Sequence, residues 1–121
     1  MSNIKELRLK LAKLARSKRT RHAGFSRELP SDWSPQKIIN PKTGFAFSDE
    51  SAWHLIADLL EDQSIEVKII TMRKPPGQEA IEILYDYEPN ASFLYIKVHL
   101  GFGNKKVLGR SFHPSTKGRM K

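Results

Sequence analysis

The chain has 121 residues, of which 39% are hydrophobic, and this suits one domain of ordinary size with a core of its own. It contains no cysteine, so disulfides, thiolate metal sites and thiol nucleophiles are excluded. The net charge is +8, with Lys and Arg concentrated at both ends and Asp and Glu concentrated in residues 49–88. Such a separation favours a binding surface for a polyanion, most often nucleic acid.

Hydropathy bears on the cellular location. No apolar run approaches the roughly 18 residues that a membrane-spanning helix needs, and the basic first segment lacks the apolar centre of a secretory signal. We therefore expect a cytoplasmic protein with no membrane partner. An organelle transit peptide is the alternative interpretation of so basic a start.

Residues 2–19 are predicted to form an amphipathic helix, because Ile4, Leu7, Leu11 and Leu14 recur at helical spacing. Cations on and after this helix, and in the last hairpin, are predicted to contact nucleic acid: Lys10, Lys13, Arg16, Lys18, Arg19, Arg21, Lys105 and Lys106. Two alternatives stay open for the helix. It can be a packing element with a solvated cationic face, or it can lie on a membrane surface.

A second helix is predicted after Ser48, which is a good N-cap residue. Four strand candidates follow it, at residues 65–73, 79–87, 93–100 and 105–113. This order predicts an α+β fold in which N-terminal helices precede a four-stranded antiparallel sheet. We divide the chain into a basic helix and tail over residues 1–27 and a single α+β domain over residues 28–121.

The last two strands form a hairpin with an unusual polar face. Leu94, Ile96, Val98 and Leu100 alternate toward the core, so the residues between them point away from it. That outward set is predicted to include Tyr95, Lys97, His99, Ser111 and His113. Simple alternation sends Arg110 inward, and we expect a bulge at Gly109 to turn it outward.

These residue types suit RNA cleavage without a metal or a cofactor. His99 and His113 can transfer the protons of the 2′-hydroxyl and the 5′-oxygen. Lys97 and Arg110 can hold the phosphate, and Tyr95 can stack on a base or donate a proton. No carboxylate joins the two histidines within the hairpin, which disfavours a metal site, and phosphate-loop and dinucleotide-binding patterns are missing from the sequence. The alternative is that each histidine is structural.

The order of elements in a small basic chain, together with the strings "LYIKV" and "GRSFH", resembles the RelE-like superfamily of bacterial toxin ribonucleases, which includes HigB-type and MqsR-type toxins. The resemblance covers about residues 40–115. It implies a RelE-like fold that cuts mRNA, often on the ribosome, on the concave face of its sheet. It also implies an antitoxin partner that covers the site. The matching positions are Tyr95, Lys97, His99, Arg110 and His113.

Three hypotheses follow from the sequence. The first is a metal-independent endoribonuclease toxin that acts on RNA. The second is a non-catalytic RNA- or DNA-binding module that uses the same basic surface. The third is a protein-interaction module that acts through its acidic centre.

Overall fold

The computed structural model describes residues 4–23, 32–40, 42–72, 77–86, 92–101 and 105–118. Its elements are α1 (Ile4–Ala15), β1 (Arg21–Ala23), β2 (Asp32–Trp33), a short 3-10 helix (Pro35–Lys37), α2 (Asp49–Glu61), β3 (Lys68–Thr71), β4 (Glu79–Tyr85), β5 (Ser92–Gly101) and β6 (Lys106–Gly118). The predicted start of the first helix at residues 2–3, and the domain boundary at residue 27, lie outside the described residues.

The sheet has six strands in the order β1-β6-β5-β4-β3, with β2 pairing to β6 further along the same edge as β1. The four predicted strands form the expected antiparallel meander. The expectation of a purely antiparallel sheet is wrong, because β1 and β2 both run parallel to β6. These two strands are only three and two residues long, too short to show the alternation by which a sequence predicts a strand.

The two helices share one core with the sheet. Helix α2 begins as predicted: the Ser48 hydroxyl accepts a hydrogen bond from the Ser51 amide at 3.1 Å, and the Ser51 hydroxyl accepts one from the Ser48 amide at 2.9 Å. The core contains the following apolar residues: Leu11, Ala12, Ala15, Trp53, Ile56, Leu60, Ile81, Ile83, Leu94, Ile96, Val98, Val107 and Phe112. No helix of the described ranges is long and apolar enough to cross a membrane.

Arg8 joins α1 to the end of α2. Its guanidinium is buried and donates to the backbone carbonyls of Leu59, Leu60, Asp62 and Ile65, at 2.6 to 3.0 Å. Leu59 and Leu60 belong to the last turn of α2, whose carbonyls have no partner within the helix, and a cation at this end is also stabilised by the helix dipole. Burial lowers the pKa of Arg8, and the charge of Asp62 opposes that effect.

The same contact explains where β3 begins. The sequence predicted a strand from residue 65, whereas β3 begins at Lys68. The Ile65 carbonyl is held by Arg8, and the Ile65 amide donates to the Asp62 carbonyl at 3.0 Å. The backbone of Ile65 is therefore hydrogen-bonded at the end of α2 and not to the sheet, and the strand begins three residues later.

Candidate functional site: the outer face of the sheet

The bulge expected in β6 is present. In the register of β5 and β6, Lys97 lies opposite Ser111 and Val98 lies opposite Gly109, which leaves Arg110 as the extra residue. A Cβ added at Gly109 would lie 2.5 Å from Cζ3 of Trp33. Only glycine therefore allows the Trp33 ring to pack against β6 at this point, next to the bulge.

One half of the outer face, which we name the closed end, is not open to solvent. It comprises His99, Leu108, Arg110 and Ser111, with exposed fractions of 2%, 7%, 5% and 7%. The expectation that His99 and Arg110 lie on an exposed surface is therefore wrong. Parity along a strand fixes the direction of a side chain, but it does not show what packs over it.

His99 in the closed end is held neutral. Burial lowers the pKa of His99, and the positive charges of Arg110 and Lys97 lower it further, while a hydrogen bond to Leu100 has the opposite effect. In that bond Nδ1–H donates to the Leu100 carbonyl at 2.8 Å.

The other half of the face, which we name the open end, is formed by Glu82, Leu84, Tyr95, Lys97 and His113. Leu84 is 47% exposed and the other four are half-buried. The Tyr95 hydroxyl donates to Oε2 of Glu82 at 2.5 Å, and the Tyr95 and His113 rings lie 5.3 Å apart. Lys97 lies directly opposite Glu82 in the register of β4 and β5. A carboxylate, a phenol, an ammonium group and an imidazole therefore share one accessible surface.

The contacts of the open end determine the tautomer of His113 and the ionisation state of Tyr95. Nδ1–H of His113 donates to the Pro114 carbonyl at 2.7 Å, which fixes the tautomer of the neutral ring. Burial raises the pKa of Tyr95, and the hydrogen bond and charge of Glu82 raise it further. The phenol consequently stays protonated and acts as a donor.

The structure does not bring the two predicted catalytic histidines together. His113 lies opposite Tyr95, and Tyr95 precedes His99 by four residues on β5. At about 3.3 Å per residue, the two histidines are about 13 Å apart along the strand. His99 is also only 2% exposed, and these observations argue against the predicted division of proton transfer between His99 and His113.

Sequence reasoning missed Glu82 as a member of the site. Alternation along residues 79–87 places Glu82 outward, which was a usable signal, but the register of β4 against β5 was needed to bring it to Tyr95 and Lys97. The hairpin alone lacks an acid, whereas the assembled face contains one.

The fold gathers most of the predicted nucleic-acid-binding cations at one edge of the sheet. The turn before β1 lies beside the start of β6, because the Val107 amide donates to the Thr20 carbonyl at 2.8 Å and Arg21 lies opposite Val107. We name this group the cationic edge; it consists of Lys18, Arg19, Arg21, Lys105 and Lys106. All but Arg21 are exposed, and Arg21 also donates to the Ala15 carbonyl at 3.0 Å.

The remaining predicted cations have different surroundings. Lys10 and Lys13 are exposed on α1. Arg16 instead forms ion pairs with Asp58 at 2.8 Å and Glu61 at 2.7 Å on α2, and these bonds raise its pKa. The charge of Arg16 is therefore paired with acids of the same chain, at an exposed site. The same pairs neutralise part of the acidic surface through which a protein-interaction module would act.

Comparisons with family models, with curated proteins and with solved structures find no match to this chain. The resemblance to RelE-like toxins therefore stays a prediction. Within the described residues, no group of three or more His, Asp or Glu side chains is arranged to hold a metal ion.

Proposed function

We propose that the protein is a metal-independent endoribonuclease that holds the RNA backbone at the cationic edge and cuts it at the open end. The observation that carries the proposal is that the half-buried Glu82, Tyr95, Lys97 and His113 share one face of the sheet, where Tyr95 contacts both Glu82 and His113, and Lys97 lies opposite Glu82 in the register. Three of these residues were predicted from the sequence alone. The group contains proton-transfer residues and a cation, which are the components that transesterification of RNA requires.

His113 and Lys97 have separate tasks in this proposal. Nε2 of protonated His113 gives its proton to the departing 5′-oxygen. The ammonium of Lys97 neutralises the charge that grows on the phosphate oxygens during the attack of the 2′-oxygen. Both side chains are half-buried, so these interactions are screened less than they would be in bulk water.

The cationic edge gives the RNA a path to the open end. Lys106 and His113 are seven residues apart on β6, which corresponds to about 23 Å. A short single strand can span this distance with its phosphates against the edge. Phosphate contacts position an RNA without reading its sequence, so the edge supports affinity rather than base preference.

The test is incubation of the purified protein with single-stranded RNA in the presence of EDTA. We expect cleavage that leaves a 2′,3′-cyclic phosphate or 3′-phosphate and a 5′-hydroxyl. The matched control is the same strand with one 2′-deoxynucleotide at the cut position, which should resist cleavage there because it has no nucleophile. Intact RNA after incubation with the pure protein would count against the proposal.

A second candidate is a non-catalytic RNA- or DNA-binding module. It is favoured by the composition of the cationic edge, which two distant segments of the chain form together and which needs no residue of the open end. Binding to RNA and DNA alike, with an affinity that falls steeply with salt and with no cleavage, is the result that distinguishes this candidate.

A further inference from the structure

We propose that Glu82 is the general base that accepts the proton of the attacking 2′-hydroxyl, an assignment that rests on the proposed ribonuclease function. His99 cannot supply this base, because it is only 2% exposed. Once His99 is excluded, the open end still contains an acceptor, the Glu82 carboxylate, and the Tyr95 side chain lies between it and His113.

The surroundings of Glu82 suit this role. Lys68 on β3 and Lys97 on β5 lie directly opposite it on its two neighbouring strands. Tyr95 donates to its Oε2, and His113 lies beyond the Tyr95 ring. These four lie on the same face of the sheet as Glu82, since the two helices pack on the other face. Two cations thus flank the carboxylate along the row in which a phosphate would lie.

The proton and bond changes balance within this group. The 2′-hydroxyl gives its proton to Oε1 of Glu82 as the 2′-oxygen attacks phosphorus. The bond from phosphorus to the 5′-oxygen breaks, and Nε2–H of His113 protonates that oxygen. The products are a 2′,3′-cyclic phosphate and a free 5′-hydroxyl. Water can then open the cyclic phosphate with the two residues in exchanged roles, which restores their starting protonation states.

Tyr95 acts here as a positioning residue. Its hydroxyl holds Oε2 of Glu82 and its ring lies 5.3 Å from that of His113, so it spaces the base from the acid. A misplacement of about 1 Å can cost roughly 100-fold in rate. Tyr95→Phe removes only the hydroxyl, and we expect it to slow cleavage by about 10- to 100-fold while leaving KM nearly unchanged.

The deciding experiment compares single-turnover cleavage rates against pH for the wild type, Glu82→Gln and Glu82→Asp. Glu82→Gln should slow cleavage by about 10²- to 10⁴-fold and abolish the acidic limb of the pH–rate profile. Glu82→Asp keeps a carboxylate, so the limb should remain while the rate falls by about 10- to 100-fold. Glu66→Gln, at an exposed site before β3, is the matched control and should behave as the wild type does.

The outcomes separate this inference from the function on which it rests. If the wild type leaves RNA intact, the ribonuclease proposal fails. If the wild type cleaves and Glu82→Gln keeps both its rate and its acidic limb, the assignment of Glu82 fails while the ribonuclease function stands. Should Glu82→Gln prove unfolded by circular dichroism, Glu82→Asp decides: a full wild-type rate, or a lost acidic limb, overturns the assignment.

Discussion

The closed end and the open end of the outer face share strands β5 and β6 and the same alternation, yet they differ in access to solvent. At the closed end, His99 and Arg110 are 2% and 5% exposed, and burial lowers the pKa of both. At the open end, Tyr95, Lys97 and His113 are half-buried, and Tyr95 donates a hydrogen bond to Glu82. Residue type and strand parity therefore do not separate a structural histidine from a catalytic one. Burial and neighbours do.

A large effect on catalysis is expected at Lys97, in the open end. We expect Lys97→Ala to slow RNA cleavage by roughly 10²- to 10³-fold, as removal of one charge-stabilising donor does in other enzymes. Lys68→Ala is the control, because Lys68 flanks Glu82 from the exposed outer strand. It should cost less than about 10-fold. The measurement is the single-turnover cleavage rate. Equal losses in Lys97→Ala and Lys68→Ala would contradict the assignment of charge stabilisation to Lys97.

A smaller effect should appear in binding when the cationic edge is neutralised. Lys18→Ala/Arg19→Ala/Lys105→Ala should reduce affinity for single-stranded RNA by roughly 100-fold at 0.1 M salt, and the salt slope should fall by about 2, since each phosphate contact contributes about 0.7. Lys5→Ala/Lys37→Ala/Lys42→Ala removes the same charge from exposed sites elsewhere. If titration shows equal losses for both triple variants, the net charge and not the edge determines binding.

A stability effect should be confined to the region behind the closed end. Gly109→Ala places a Cβ 2.5 Å from the Trp33 ring and should lower the free energy of unfolding by about 1–3 kcal/mol. In Gly101→Ala the Cβ meets the end of the flexible Leu108 side chain at 2.6 Å, so the cost should be smaller. Urea unfolding of both variants measures the difference, and the reverse order would contradict the packing described here.

The smallest effect is the pH dependence of stability that His99 contributes. Because burial lowers its pKa in the folded state, only the unfolded chain takes up this proton as the pH falls below about 6.5, the ordinary histidine value. Stability should therefore decline below that pH, by at most about 1.4 kcal/mol per pH unit, until folded His99 is protonated as well. His99→Leu should flatten this decline. Urea unfolding of the wild type and of His99→Leu between pH 5 and 8 measures this. An equal decline in both proteins would contradict the assignment to His99.

Much of the framework was predictable because it depends on local pattern. The periodicity of α2, its Ser48 cap and the alternation of Leu94, Ile96 and Val98 are confirmed. Arg8 was not predictable as a core residue, since its partners are carbonyls more than 50 residues away that appear only when α1 packs against α2. The edge strands β1 and β2 carry no periodic signal of their own, and their pairing depends on β6.

The candidate site was predictable only in part, for the same reason. Alternation identified the outward residues, and Gly109 marked the bulge at Arg110. Alternation could not show that the His99 end is buried, nor that Glu82 joins Tyr95 across the β4–β5 register. Both facts are tertiary, and both change the chemistry that the face can perform.

The central claim is that the chemistry takes place at the open end and not at the closed end. Single-turnover RNA cleavage in EDTA by His113→Leu and His99→Leu, each corrected for its folded fraction, tests it most directly. We expect His113→Leu to lose about 10²- to 10⁴-fold in rate and His99→Leu to stay within about 10-fold of the wild type. Loss of cleavage in His99→Leu with full activity in His113→Leu would contradict it.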